Sequence, residues 1–189
     1  MHPINVMVNG IPGNVAGTLA RHVSADARFE LLPFSLTGPE IVQAEAAVEG
    51  RAVRLIRPEQ REAAITEIRK QYGRFLSVDY THPAAVNANA EFYCRERLPF
   101  VMGTTGGDRH HIEQTVRGSD IAAVVAPNMA KQIVGFQAMM EYAADTFPGL
   151  FQGYTLEIRE SHQRAKADTS GTAKAMVRYF NRLGVPFSE

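Results

Sequence analysis

The 189-residue chain contains one cysteine, so no disulfide can form within it. It has no surplus charge of either sign, because Lys+Arg and Asp+Glu number 20 each. No large electrostatic field follows from that balance, which argues against nucleic acid and membrane surfaces as partners. No apolar run approaches the roughly 18 residues that a membrane span needs. The opening residues, MHPINVMVNG, carry neither a basic leader nor an apolar stretch with a cleavage site. These absences lead to the expectation of a cytoplasmic protein. No His, Cys, Asp or Glu set has metal-ligand spacing, so no metal site is expected, and there is no serine nucleophile elbow. Internal repeats and low-complexity segments are missing as well.

What is present is a composition that is 45% hydrophobic, enough for one good core or for one domain with a smaller companion. Apolar runs at 4–8, 29–34, 75–79, 100–102 and 121–125 read as strands, with 52–56 a candidate for another. Helical patterns fall between them, at 15–23, 59–72, 84–97 and 108–117. Pro58 suits a first helical position and Asp108 an N-cap. Regular alternation of strand and helix predicts an α/β fold, a parallel sheet with helices on both faces, over about residues 1–128. A long helix at 131–147 then breaks the alternation and marks a domain boundary near Pro127-Asn128.

Several predicted strand-end loops carry chemistry. Gly10, Ile11, Pro12, Gly13, Asn14 and Val15 follow the first strand and open the first helix. Small residues there let the chain turn tightly, approach a pyrophosphate and pack its helix close to the sheet. An ordinary tight turn would use the same residues. After the second strand, Ser35 and Thr37 stand where an acid would bind the adenosine ribose of NAD, and no acid occurs before Glu40. That leans toward NADPH over NADH, or toward use of both; a plain loop explains Ser35 and Thr37 equally well. Gly103, Thr104 and Thr105, and then Ala126, Pro127, Asn128 and Met129, end two further strands. Ligands of open α/β sheets sit at such carboxyl ends. Cys94 has helical spacing with Val86, Ala90 and Tyr93 and reads as a core residue. His2, His22, His82, His110 and His111 read as solvated surface.

The densest polar segment is EIRESHQRAKADTSGTAKA, residues 157–175. A predicted strand at 154–158 leads into it, and a helix at 173–183 follows Ser170, Gly171 and Thr172. Free N–H groups at a helix start suit a carboxylate or phosphate. His162 and Lys166, beside that start, are acid/base candidates. A solvated polar loop is the competing reading.

The segments VMVNGIPGNVAG (6–17), SVDYTHPAAVNANAEFY (77–93), PFVMGTTGGD (99–108), APNMAKQ (126–132) and ESHQRAKADTSGTAKA (160–175) together resemble the dihydrodipicolinate reductase family, also called 4-hydroxy-tetrahydrodipicolinate reductase, in its plant-like branch. The resemblance implies a Rossmann dinucleotide-binding domain at 1–128. It implies a partial α+β substrate-binding and oligomerisation domain at 129–189. It implies NAD(P)H-dependent reduction of a cyclic dicarboxylate in lysine and diaminopimelate biosynthesis. By the same resemblance His162 is a proton donor or acceptor, and Lys166 a second proton donor that also binds substrate. Gln163 falls at a substrate contact, and Gly171 and Thr172 on the loop for the substrate carboxylate. The loops at 10–15, 103–105 and 126–129 are implied to hold the nucleotide. A small dicarboxylate is the implied substrate, and a homo-oligomer, tetrameric in the family, the implied assembly where the C-terminal part is present. Family members continue beyond the SGTA helix, so the chain is expected to be either a piece of a longer enzyme or a reduced relative. A strand at 154–161 would then lack its sheet partners. A non-catalytic remnant that binds nucleotide or a partner, and another NAD(P) oxidoreductase on the same scaffold, are the competing functional readings.

Overall fold

The computed structural model describes residues 2–126, 128–159 and 171–187. The chain divides into two compact units, Met1–Pro127 and Asn128–Glu189.

The first unit contains β1 (Ile4–Asn9), α1 (Asn14–Ala25), β2 (Phe29–Leu31), β3 (Phe34–Leu36), β4 (Glu45–Val48), β5 (Arg51–Ile56), α2 (Arg61–Tyr72), β6 (Leu76–Asp79), α3 (Val86–Arg95), β7 (Phe100–Met102), α4 (Arg109–Arg117) and β8 (Ala123–Val125). Five strands form a parallel sheet in the order β2-β1-β6-β7-β8. The pleat sends alternate side chains of β1 to opposite faces. Val6 and Val8 pack with Ala16, Ala20 and Val23 of α1. Met7 packs with Ile65 and Ile68 of α2, Ala90 and Tyr93 of α3 and Ile112 of α4. Helices thus cover both faces, and the fold is Rossmann-like. The crossovers bring the carboxyl ends of β1, β6 and β7 to one edge of the sheet.

The strand expected at 29–34 is two strands in two sheets. Leu32 still donates to the Val6 carbonyl at 2.8 Å. Pro33 has no N–H with which to extend that ladder, and its carbonyl accepts from Arg54 instead, at 2.9 Å. From there β3 runs parallel to β5, in a three-stranded sheet of order β3-β5-β4. β4 was not foreseen, because its EAAV sequence has little β preference. Its pairing with β5 comes through the Glu49-Gly50 turn, where both residues have positive φ (50° and 73°), as a two-residue hairpin of the primed type requires.

The second unit holds α5 (Lys131–Thr146) and α6 (Gly171–Arg182). Their shared core is Ala144, Met176, Tyr179 and Leu183, flanked by Met140, Ala143 and Phe180. The strand expected at 154–158 does not form: residues 154–159 belong to no strand, and no other strand exists in this unit among the described residues for them to pair with. The period of two survives in burial alone, with Leu156 and Ile158 half-buried between exposed neighbours. Leu156 lines an apolar groove of about 510 Å³ with Leu150, Phe151, Tyr154, Phe180 and Val185. Among the described residues, no helix is long and apolar enough to cross a membrane.

Candidate functional site

At the end of β1 the chain turns on Gly10, whose φ of 100° lies in the left-handed region. A Cβ there would strike the Tyr80 carbonyl, so both conformation and space demand glycine. Three bonds hold the turn: Gly10 N–H to the Leu36 carbonyl (2.9 Å), Gly13 N–H to the Gly10 carbonyl (2.7 Å), and Ile11 N–H to Ser35 Oγ (3.1 Å). Asn14 and Val15 then begin α1. Gly13 at the cap position supplies no side chain, and the first turn of α1 has no acid. The N–H groups of that turn and the positive end of the helix dipole are therefore available to an anion.

This turn forms one wall of a cleft of about 560 Å³, within the usual range for cofactor sites. Gly10, Ile11, Pro12 and Gly13 line it on one side, with Tyr80, Thr81, His82, Ala85, Ala88 and Asn89. Leu36, Thr37, Gly38, Pro39, Glu40, Ile41, Ile56, Pro58 and Arg61 line the other. Ser35 does not reach the cleft. It is fully buried beneath the Gly10 turn, where its hydroxyl accepts from Ile11. Of the two hydroxyl residues after β2, only Thr37 lines the cleft. Burial raises the pKa of the Tyr80 phenol above its ordinary value.

Beneath the cleft lies a buried polar network centred on Asp79, at the end of β6. Its Oδ1 accepts from Thr81 N–H (3.0 Å), Thr81 Oγ1 (2.7 Å) and Thr104 Oγ1 (3.0 Å). Its Oδ2 accepts from Asn89 Nδ2 (3.0 Å) and Tyr93 O–H (2.7 Å). Tyr93 in turn accepts from Asn9 Nδ2 at 3.0 Å, and Asn9 Oδ1 accepts from Leu36 N–H at 2.9 Å. One carboxylate therefore ties together the ends of β1, β3, β6 and β7. Burial first, and then the neighbouring charge of Asp79, push the Tyr93 phenol well above its ordinary pKa. None of Asp79, Asn89, Tyr93 and Arg61 stood out as a site residue in the sequence; the signal available was polar side chains at inward positions of β6 and α3.

The Gly103–Thr105 loop joins the same constellation. Gly103 N–H donates to the Asp79 carbonyl at 3.0 Å, and Thr104 is buried. Arg109 Nη2 donates to the Thr104 carbonyl at 3.0 Å, while its buried Nη1 has no partner among the described residues. Burial lowers the pKa of this arginine. Asp108 caps α4 by accepting from His111 N–H at 3.1 Å, a bond that holds its carboxyl below the usual range. His111 is exposed, and its Nε2 lies 2.7 Å from Glu91 Oε1. His82 Nδ1 accepts from Ala84 N–H at 3.2 Å, and Cys94 packs against the core.

Ala126 N–H donates to the Met102 carbonyl at 3.0 Å, extending the β8 edge. Asn128 Oδ1 accepts from Ala130 N–H at 3.0 Å just ahead of α5, and Met129 is exposed. Gly171 and Thr172 begin α6. Pro127, His162, Gln163, Lys166 and Ser170 lie outside the described residues. Among those described, no group of His, Cys, Asp or Glu could hold a metal ion.

Residues 4–129 match the family model described as dihydrodipicolinate reductase, N-terminus. The chain belongs to the dihydrodipicolinate reductase family. The probable 4-hydroxy-tetrahydrodipicolinate reductase 1, chloroplastic, of Oryza sativa subsp. japonica is 43% identical over 99% of this chain and 54% of its own length. 4-Hydroxy-tetrahydrodipicolinate reductase 2, chloroplastic, of Arabidopsis thaliana is 42% identical over 97% and 52%. The chain thus spans about half the length of the curated family members it matches. Dipicolinate-bound dihydrodipicolinate reductase from Paenisporosarcina sp. TG-14 has the same fold, with a TM-score of 0.66 at 16% identity over 99% of this chain and 69% of that one. The expectation of a cytoplasmic protein is overturned, since both plant relatives are named as chloroplastic enzymes.

Proposed function

We propose that this chain carries the dinucleotide site and the acid/base residues of a 4-hydroxy-tetrahydrodipicolinate reductase, which forms tetrahydrodipicolinate at the expense of NADPH or NADH. The observation that carries the reading is the uncapped start of α1 facing a cleft of about 560 Å³, in a unit matched by the family model. The residues present fit a dinucleotide. The first-turn N–H groups of α1 suit its pyrophosphate, and the apolar side chains of Ala85 and Ala88 on one side and Ile41 on the other suit an adenine.

The nicotinamide supplies the hydride when bound; orientation and proton supply fall to the protein. Asp79 fixes Thr81 and Thr104, and with them the two loops that border the cleft. On the substrate side, the N–H groups of Gly171 and Thr172 at the start of α6 are assigned to a carboxylate. Ser170 and Gln163 are placed beside them in sequence. Lys166 contributes positive charge near the dicarboxylate, and His162 or Lys166 delivers the proton that follows hydride arrival. The loop at 126–129 is assigned to the nucleotide, and the assembly is proposed to be a homo-oligomer.

The purified chain, or a longer protein containing it, is expected to oxidise NADPH or NADH when given the product of dihydrodipicolinate synthase. Nucleotide binding without turnover would refute the catalytic assignment. His162→Ala and Lys166→Ala should each lower kcat by about 10²–10⁴-fold with nucleotide affinity unchanged. Full kcat in both variants would remove these residues from the mechanism.

A further inference from the structure

The edge of the large sheet away from the cleft holds a second cavity, of about 500 Å³, at the amino ends of β6, β7 and β8. Phe75, Leu98 and Ile121, each just ahead of one of these strands, give it an apolar floor. Around the floor stand three arginines, Arg69, Arg74 and Arg97, against one carboxylate, Asp120, a surplus of two positive charges. Arg97 Nη2 donates to Asp120 Oδ2 at 2.7 Å, in a pair exposed enough to be worth little. The other two arginines are uncommitted. Arg74 is exposed and pairs with no carboxylate among the described residues. Arg69 Nη1 stands 3.7 Å from Glu96 Oε2, beyond hydrogen-bond length, and its buried Nη2 has no partner among the described residues.

Helices α2 and α3 both end at this edge, and a cation offsets the negative end of a helix dipole. That accounts for Arg69 and Arg95, which lie in the last turns of those helices. It does not call for Arg74, which lies beyond the Gly73 cap. Nor does it call for Arg97, which holds a φ of 51° where α3 stops, a place that glycine fills at lower cost.

We propose that this cavity binds an organic phosphate monoester, its phosphate on Arg69 and Arg74 and its apolar ring or chain on Phe75, Leu98 and Ile121. A phosphate monoester carries about −1.5 to −2 charges at pH 7, which matches the surplus of the lining; a carboxylate brings one charge and leaves part of it unmet. Forked guanidinium donors suit phosphate oxygens. The Arg69 guanidinium, with no hydrogen bond to hold it, can turn its unmet Nη2 to an incoming oxygen. The site lies at the opposite ends of the strands from the Gly10 turn and does not depend on the nucleotide reading.

The test is an amide NMR titration of the full chain with phenyl phosphate, inorganic phosphate and benzoate. Phenyl phosphate should shift the Gly73 and Ala122 amides saturably, and the other two probes should bind there about tenfold more weakly or less tightly still. Arg74→Gln and Arg69→Gln should each weaken phenyl phosphate by about tenfold. Should Arg69→Gln not fold, the exposed Arg74→Gln decides. Benzoate binding as tightly as phenyl phosphate would overturn the assignment to phosphate, and inorganic phosphate doing so would overturn the role of the apolar floor. Unchanged affinity in the variants, or shifts confined to the Gly10 turn, would overturn the site.

Discussion

A single buried carboxylate organises the site. Asp79 accepts from Thr81, Thr104, Asn89 and Tyr93, so each of those side chains is placed by a charge that has no contact with solvent. Tyr93 has a measurable signature. Its phenol is held protonated past the ordinary tyrosine value of 10.0, chiefly by burial and next by the charge of Asp79. Above that pH the unfolded chain releases this proton while the folded chain keeps it, so stability falls as pH rises. Tyr93→Phe should flatten that alkaline decline, leaving the smaller contribution of Tyr80, and should cost about 1–3 kcal/mol at neutral pH for the lost buried hydrogen bond. Urea unfolding at neutral pH and at about pH 11 checks both, and an unchanged alkaline slope would refute the first. At this scale the sequence was legible where chemistry is local. Gly10 and the Asp108 cap follow from their neighbours in the chain. Asn89 and Arg61 do not, because their partners come from other elements 10 and 28 residues away.

The elements divide by what decides them. β1, β7, α4 and α5 lie within a residue or two of their periodic patterns, since amphipathic periods and caps are properties of short windows. The strand expected at 29–34 divides because Pro33, apolar like its neighbours in the sequence, hands the chain from one sheet to another. The segment at 154–158 shows the converse: alternation specifies faces, but a strand also needs a neighbour to hydrogen-bond. β4 depends on a turn, and that turn can be tested. Gly50 has a φ of 73° and nothing within 4 Å of a Cβ built on it, so Gly50→Ala meets no clash and pays for conformation alone. A loss of about 1–2 kcal/mol in urea unfolding is expected. A neutral result would show that the hairpin does not need its primed turn.

At the scale of the molecule, both large apolar clusters are confined to the first unit, from Val6 to Ile112. A polypeptide of residues 1–130, which keeps the 126–129 loop, should therefore unfold cooperatively and bind NADPH about as well as the full chain, and on the roles proposed for His162 and Lys166, which are outside it, should show no reductase activity. Loss of nucleotide binding in that polypeptide would mean that the first unit does not complete the site. One wall of the cleft belongs to the large sheet, through the Gly10 turn and residues 80–89, and the other to the small sheet and the start of α2, through residues 36–41, 56 and 61. Two stretches of sequence thus supply separate walls of the cleft. Substitutions in the second reshape one wall of the cleft while the Gly10 turn stays as it is.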